Sequence, residues 1–286
     1  PAQAQPNFGR EVLPPPDLAG DAPAVQQTRM QTLVEEADAL PFDLEKGPLF
    51  RHRLVRLGAE DHVLLLSFHH AVMDGFTLLI LLQDLSALYQ HAIGESKTPP
   101  PEPKLQYADY AIWQRKWLEG GEMKAQLDYW KKALQGSPGV LNLPTDRPRE
   151  RGASGQGKGG YNSRPIGKGI ATALERLGRE RGVTQTMLHL AGFTTLLHRL
   201  SGDEDVSVGI DAQSRAAPEL ERVSGMFLNL LVLRMQPHGD QAFNELLTHV
   251  RDVALGAYSH QDAPFERIVE AVNPSRTLNR TPLFQA

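Results

Sequence analysis

The stretch from Val63 to Tyr89 changes its hydrophobic pattern abruptly, and this change strongly constrains the fold. The run "VLLLSF" (Val63 to Phe68) is almost entirely apolar, as expected of a strand with both faces covered. The run "FTLLILLQDLSALY" (Phe76 to Tyr89) is too long for a strand and spaces its polar residues as a mostly buried helix would. The seven residues between them, "HHAVMDG" (His69 to Gly75), are therefore predicted to form a strand-to-helix turn.

Strand-like and helix-like segments alternate along the rest of the chain, which favours the α/β class with two similar lobes. We assign residues 1–150 to an N-terminal lobe and 151–286 to a C-terminal lobe, because 136–160 is the most loop-like stretch. Residues 1–20 are Pro-rich and polar and are interpreted as a linker. Strands are predicted at 49–58, 62–68, 161–166, 205–210 and 226–235, and helices at 24–40, 76–89, 107–120, 123–136, 169–181, 184–200 and 241–258. Three tryptophans are expected to be packing anchors: Trp113, Trp117 and Trp130.

Composition argues against several classes of protein. The 286 residues include 30 Lys+Arg and 34 Asp+Glu, a formal net charge of -4, and no basic block that would follow a phosphate backbone, so nucleic acid is not expected as a partner. No cysteine is present, which removes disulfides and thiolate metal sites and fits a cytoplasmic location. The apolar runs fall short of the roughly 18 residues needed to span a bilayer, so we expect no membrane partner.

The polar residues of the turn, His69, His70 and Asp74, allow three interpretations from pattern alone. Both histidines could be satisfied core residues with Asp74 capping the next helix, which is the usual state of buried polar groups. A metal site is disfavoured, because adjacent histidines on a strand point to opposite faces. Acid–base catalysis is favoured by the turn itself, since a strand end that opens onto a helix N-terminus exposes side chains and aims N–H groups at a ligand.

Five blocks of residues in this order resemble one family. "HHAVMDG" (His69 to Gly75) has the form His-His-x-x-x-Asp-Gly, and "YADYAIWQ" (Tyr107 to Gln114), "SGMFLNLLVLR" (Ser224 to Arg234), "HQDAPFE" (His260 to Glu266) and "SRTLNRTPLFQ" (Ser275 to Gln285) follow it. Together they look like the condensation domains of non-ribosomal peptide synthetases, which belong to the chloramphenicol acetyltransferase-like superfamily. The resemblance runs across nearly the whole chain.

Two features depart from the family pattern. The family's opening motifs have no counterpart before Pro1 and the chain stops just after the last block, so we expect an internal piece that lacks part of each lobe. "GIDAQSR" (Gly209 to Arg215) stands where the family more often has a Gly-x-Pro-x-Ala-Gly-Arg loop. Arg215 occupies the position of the family's arginine, but the shape of the loop is not fixed by the sequence.

The resemblance implies an architecture and a reaction. Two chloramphenicol acetyltransferase-like lobes, each an α/β sandwich, would form a V with a tunnel between them. Donor and acceptor peptidyl carrier protein domains, each with a 4'-phosphopantetheine arm, would deliver an acyl or peptidyl thioester and an aminoacyl thioester from opposite ends. The product is an amide on the acceptor carrier. A neighbouring adenylation domain is the other implied partner, and no metal or intrinsic cofactor is implied.

The resemblance also implies roles for single residues. His70 would deprotonate or orient the acceptor amine, and the N–H of Gly75 would donate to the developing oxyanion. Asp74 would point away from substrate and pair with Arg215, which makes it structural within the site. Supporting residues are His69, Arg215 and Asn229, although a purely structural hydrogen bond is an equal alternative for Asn229. Helix packing or inter-lobe bonding is the preferred interpretation of three further residues in the family blocks: Trp113, His260 and Arg276.

Several related activities share this pattern. An epimerisation domain keeps the double histidine but differs in the later blocks, and "HQDAPFE" favours condensation. A starter condensation domain taking a fatty acyl donor and an acyltransferase using coenzyme A thioesters are the other enzymatic alternatives. A recruitment domain of the same fold binds a partner enzyme without catalysis, and such domains typically lose the second histidine or the glycine of the motif, both of which are present in this chain.

Overall fold

The polypeptide divides into two units, and the first is assembled from two separate stretches of sequence. In this computed structural model, the structure describes residues 16–146, 162–215, 217–274 and 281–286. The first unit comprises Pro1–Tyr107 and Glu219–Met226, and the second comprises Ala108–Pro218 and Phe227–Ala286. The chain therefore leaves the second unit at residue 219 and returns to it at residue 227.

The first unit contains two helices and an antiparallel hairpin. Helix α1 spans Pro23–Ala39, strands β1 and β2 span Phe50–Arg56 and His62–Phe68, and helix α2 spans Gly75–Ala92. The strands pair from Phe50 opposite Phe68 to Arg56 opposite His62. These elements confirm the two predicted strands and the two predicted helices.

The apolar residues of β2 and α2 are less covered than their sequence suggests. Leu64 of β2 is 39% exposed, and in α2 only Thr77 and Ile80 are buried. Six large apolar side chains of α2 are exposed: Phe76, Leu79, Leu82, Leu85, Leu88 and Tyr89. The prediction of a mostly buried helix is therefore wrong for the described residues, because packing there reaches only the side of α2 that carries Thr77 and Ile80.

The second unit surrounds a second antiparallel strand pair with helices. Its elements are α3 (Tyr107–Leu118, whose first residue belongs to the first unit), α4 (Gly121–Ala133), α5 (Lys168–Arg181), α6 (Gln185–Ser201), β3 (Val206–Gln213), β4 (Leu228–Met235), α7 (Phe243–Tyr258) and α8 (Phe265–Val272). β3 and β4 pair from Val206 opposite Met235 to Gln213 opposite Leu228. The sequence analysis did not predict α8, and its strand at 161–166 is wrong for residues 162–166, which pair with no described strand.

The core of the second unit lies around β4 and α4. Leu231, Val232 and Leu233 are all buried, as expected of a strand with both faces covered. Trp130 of α4 is fully buried, and its indole N–H donates to the carbonyl of His260 at 2.9 Å. Trp113 of α3 is 56% exposed, so its prediction as a packing anchor is wrong: its ring lies against those of Tyr110 and Trp117 on the same helix and leaves its outer part exposed.

The predicted boundary between residues 150 and 151 lies outside the described residues. Within them, α4 was assigned to the N-terminal lobe, but it packs into the second core through Met123 and Trp130. The sequence did not reveal this, because the loop after α4 has the composition of a domain boundary regardless of which core α4 packs against. None of the described helices is both long enough and apolar enough to span a membrane.

Candidate active site

The motif turn connects β2 to α2 within the first unit. β2 ends at Phe68, a single 3-10 turn spans His70–Val72, and α2 begins at Gly75. All the fixed residues of "HHAVMDG" thus lie on one connection, at the N-terminus of the longest helix of the first unit. Such an end presents unbonded backbone N–H groups.

Asp74 is the N-cap of α2. Its carboxylate Oδ1 accepts the backbone N–H of Thr77 at 2.7 Å, and the residue is only 1% exposed. An N-cap of this kind stabilises a helix by about 1 kcal/mol. The cap that the structural alternative assigned to Asp74 is thus confirmed, and the residue is buried.

His69 is held inside the turn. Its Nδ1 accepts the N–H of Ala71 at 3.1 Å, and its backbone N–H donates to Leu49 at 2.9 Å. Its ring and that of Phe42 pack edge to face, with ring centroids 6.0 Å apart. Because Nδ1 is an acceptor, the neutral ring carries its proton on Nε2. The imidazole of His69 thus shapes the connection.

His70 differs from His69 in exposure and bonding. The residue is exposed, and nowhere in the described part of the chain does a group hydrogen-bond to its imidazole. The alternative in which both histidines are core residues is therefore wrong for His70, because the chain has left the hairpin and enters the 3-10 turn at this residue. The described residues contain no cluster of three or more potential metal ligands.

Gly75 is the first residue of α2 and is exposed. A Cβ at this position would meet no atom within 4 Å, and its φ lies outside the left-handed region. Neither backbone conformation nor close packing therefore requires glycine. Among the residues that the structure describes, none accepts its N–H, so an open space and a free donor lie together.

Thr77 and Gly225 were missed as site residues by the sequence analysis. The hydroxyl of Thr77 donates to the carbonyl of Gly225 at 2.7 Å and accepts the N–H of Gly225 at 3.0 Å. Both residues belong to the first unit. The available signal was a threonine three positions after a capping aspartate, but nothing local identifies its partner far along the chain.

Arg215 lies in the second unit, just beyond β3. Its Nη1 donates to Oε1 of Gln213 at 3.1 Å, and its guanidinium carbon lies 4.1 Å from the ring centroid of Phe227. Residues 211–213, which lie beyond the strand predicted at 205–210, form the end of β3. The pairing of Arg215 with Asp74 remains a prediction.

Asn229 of β4 has all of its side-chain hydrogen-bonding capacity used. Its Nδ2 donates to the carbonyls of Gln261 and Ala263 at 2.8 and 2.7 Å. Its Oδ1 accepts the N–H groups of Leu230 and Phe265, each at 3.0 Å. Phe265 begins α8, so Asn229 fixes the approach to that helix, and this bonding favours the structural alternative over a direct role with substrate.

His260 also has a structural environment. Its ring stacks on Tyr129 at a centroid distance of 3.9 Å, and its Nδ1 donates to the carbonyl of Gly256 at 2.8 Å. Burial raises the pKa of the Tyr129 phenol above its ordinary value of 10.0. The preference for a packing role of His260 therefore agrees with its contacts, whereas Arg276 lies outside the described residues.

Comparison with known proteins supports a single family. The model of the family described as Condensation domain matches residues 17–286. A linear gramicidin synthase polypeptide of Brevibacillus parabrevis is 41% identical over 94% of this chain, and phosphinothricin tripeptide synthetase PhsC of Streptomyces viridochromogenes is 40% identical over 94%. The chain spans only 5% and 24% of these two relatives.

Solved structures support the same assignment. The holo-AB3403 four-domain nonribosomal peptide synthetase bound to AMP and glycine has a TM-score of 0.79 and 27% identity, covering 96% of this chain and 20% of the other. The X-domain from teicoplanin biosynthesis has a TM-score of 0.80 and 25% identity, covering 95% of this chain and 60% of the other. The chloramphenicol acetyltransferase-like fold predicted from the motifs is thus confirmed, and the chain belongs to the condensation domain family.

Proposed function

We propose that this domain forms an amide bond between a donor acyl or peptidyl thioester and the α-amine of an acceptor aminoacyl thioester. Each substrate would be carried on the 4'-phosphopantetheine arm of a peptidyl carrier protein. The observation that carries the proposal is the division of labour within the motif. His69 and Asp74 bond to neighbouring backbone, while His70 presents a ring with no hydrogen bond from any described residue.

The reaction follows from these groups. The acceptor nitrogen attacks the donor carbonyl carbon, a C–N bond forms, and the C–S bond breaks as the tetrahedral intermediate collapses. The proton lost by nitrogen goes to the imidazole of His70 or, when His70 only orients the amine, to the departing sulfur. Proton removal by a placed base is worth roughly 100- to 10,000-fold, whereas positioning acts through effective concentration.

Gly75 would stabilise the negative charge on the carbonyl oxygen. Its N–H has no acceptor within the described ranges, and it lies at the N-terminus of α2, where the helix dipole also favours negative charge. The open space where a side chain would be lets a substrate oxygen approach this N–H. Asp74 contributes indirectly, by capping the helix that carries the donor.

Other parts of the proposal come from the family. The relatives named above include synthetases, and we infer that the working partners are donor and acceptor carrier domains and a neighbouring adenylation domain. A cytoplasmic location and the absence of a required metal belong to the same proposal. A starter variant, in which the donor is a fatty acyl thioester, uses the same residues and differs only in the donor.

The test compares wild type with His70→Ala in the full-length protein, with both carriers loaded. Mass spectrometry of the acceptor-bound product is the measurement, and circular dichroism checks that the variant is folded. We expect the variant to lose most of the product. The matched control is His52→Ala, which removes an exposed imidazole from β1. Equal product formation by wild type and His70→Ala would refute the assigned role.

A second candidate function is recruitment of a partner enzyme without condensation. It is favoured by the TM-score of 0.80 to the X-domain from teicoplanin biosynthesis, a domain also solved as a complex with OxyB. Because condensation and recruitment domains share this fold, the fold does not distinguish the two functions. The presence of both His70 and Gly75 favours condensation. Failure of wild type to extend the acceptor under conditions that load both carriers would favour recruitment.

A further inference from the structure

The segment Glu219–Met226, here called the inserted segment, ends two residues before the start of β4 but packs in the first unit. Its apolar residues Leu220 and Val223 are buried. The guanidinium of Arg222 makes an ion pair with the carboxylate of Asp84 on α2. This pair is partly exposed, so it contributes little stability by itself.

Thr77 joins the inserted segment to the motif turn. Its hydroxyl donates a hydrogen bond to the carbonyl of Gly225 at 2.7 Å and accepts one from the N–H of Gly225 at 3.0 Å. Its own backbone N–H donates to the carboxylate of Asp74 at 2.7 Å. Since Thr77 is only 5% exposed, water does not readily replace these bonds.

Tyr107 holds Gly225 from another side. A Cβ added to Gly225 would lie 2.0 Å from Cδ2 of Tyr107, so only glycine fits against the ring. The phenol O–H of Tyr107 donates to the carbonyl of Met226 at 2.7 Å. The side chains of Thr77 and Tyr107 thus both hydrogen-bond to the backbone of the inserted segment, and a shift of Gly225 would act on the N-terminal turn of α2 through Thr77.

We propose that Thr77 is a positioning residue for the condensation reaction, acting through Asp74 and the inserted segment. It sets the place of the first turn of α2, which carries the N–H of Gly75 and is connected to His70 through the 3-10 turn and Asp74. The inference rests on the proposed function, because it assumes that these two residues meet the substrates. A displacement of about 1 Å at such a site can cost on the order of 100-fold in rate.

Three variants separate positioning from general stability. Thr77→Val keeps the shape of the side chain and removes the hydroxyl, Thr77→Ser keeps the hydroxyl, and Tyr107→Phe removes a different bond to the same segment. The matched control is Thr195→Val in α6, which removes a hydroxyl that donates to the carbonyl of Ala191 at 2.8 Å within the second unit.

The measurements are the maximal rate and the KM for the loaded acceptor carrier, in the full-length protein and at temperatures where every variant is folded. We expect Thr77→Val to lower the maximal rate by ~10- to 100-fold with little change in KM. We expect Thr77→Ser to restore most of the rate, and Tyr107→Phe to reduce it in the same way. Thr195→Val is expected to behave as wild type. Hydrogen exchange of peptides covering 69–78 and 219–226 should rise together in Thr77→Val.

The outcomes distinguish this inference from the proposed function. If His70→Ala abolishes condensation but Thr77→Val and Tyr107→Phe keep the wild-type rate, the positioning role is refuted and the proposed function stands. If wild type does not condense, the proposed function fails, and with it the role of Thr77 in that reaction, even where exchange shows the coupling. If Thr77→Val does not fold, a normal rate in Tyr107→Phe overturns the inference and a reduced rate with unchanged KM supports it.

Discussion

Gly75 and Asn229 differ in how far the surrounding structure accounts for the residue at that position. The fold leaves open space beside Gly75 and requires neither its flexibility nor its small size. Asn229, in contrast, is committed to four hydrogen bonds that hold the approach to α8. A residue that the fold does not need is better explained by a ligand, whereas a fully bonded one is explained by the fold.

Gly75→Ala should therefore separate activity from stability. Its Cβ would meet nothing within 4 Å, and alanine favours a helix over glycine by about 1 kcal/mol, with less effect at the first helical position. We expect an unchanged or slightly higher unfolding midpoint and a ~10-fold or greater loss of condensation, because the methyl group occupies the space beside the N–H. Urea unfolding and product formation are the two measurements. Full activity in the alanine variant would contradict the role of this space.

At the residue scale, local sequence was sufficient for some roles and insufficient for others. The cap formed by Asp74 follows from an aspartate placed just before an apolar helical run, so its hydrogen bond could be predicted. Three of the four partners of Asn229 lie far along the chain, beyond α7, so pattern could not identify them. The same holds for Thr77 and Gly225, whose contact depends on how the chain returns to the first unit.

At the scale of elements, the sequence predicted which segments are regular better than what covers them. The change of hydrophobic period correctly separated β2 from α2, although α2 extends further than predicted at its C-terminal end. Exposure was not predictable in the same way, because periodicity identifies apolar side chains without identifying their neighbours. α2 leaves several leucines exposed, whereas β4 buries three consecutive apolar residues.

Asp203 links two connecting segments through hydrogen bonds, and the contribution of these bonds to stability depends on pH. Its carboxylate accepts the backbone N–H of Asn142 at 2.8 Å and the side-chain amide at 3.1 Å, which joins the stretch after α4 to the turn between α6 and β3. The backbone hydrogen bond from Asn142 is the main cause that lowers the pKa of Asp203 below its ordinary value of 3.8. The stabilising contribution is thus fully present above pH 3.8 and is lost as the pH falls through the lowered pKa.

We expect Asp203→Asn to reduce stability at neutral pH by less than about 1 kcal/mol, since the carboxylate is partly exposed. The difference from wild type should shrink as the pH falls below 3.8. Urea unfolding midpoints at neutral and acidic pH measure it, with Glu204→Gln, an exposed neighbour, as the control. A difference that stays constant across this range would rule out Asp203 as its source.

At the scale of the whole molecule, the two units differ in how much apolar surface they bury. The second unit has one continuous core that includes Trp130, β4 and α7. The first unit has fewer buried apolar residues among those described, and both Leu54 and Leu64 of its hairpin are substantially exposed. Because burial supplies most of the folding free energy, the units should differ in local stability.

Hydrogen exchange followed by mass spectrometry tests this difference. We expect the hydrogen-bonded amides of β1 and β2 to exchange about 10-fold faster or more than those of β3 and β4, corresponding to about 1.4 kcal/mol in opening free energy. Both pairs are antiparallel and of similar length, so each serves as the reference for the other. Equal protection of the two hairpins would contradict the expected difference.

The route of the chain through the inserted segment limits how this domain can be recombined with its relatives. If the first unit were exchanged by a single crossover after Tyr107, the chimera would carry Pro1–Tyr107 from one parent and the segment equivalent to Glu219–Met226 from the other. The transplanted Thr77 and Tyr107 would then meet a foreign backbone at Gly225, where even one added methyl group does not fit. A functional chimera therefore requires a second pair of crossovers, so that this short segment is inherited together with the unit that holds it.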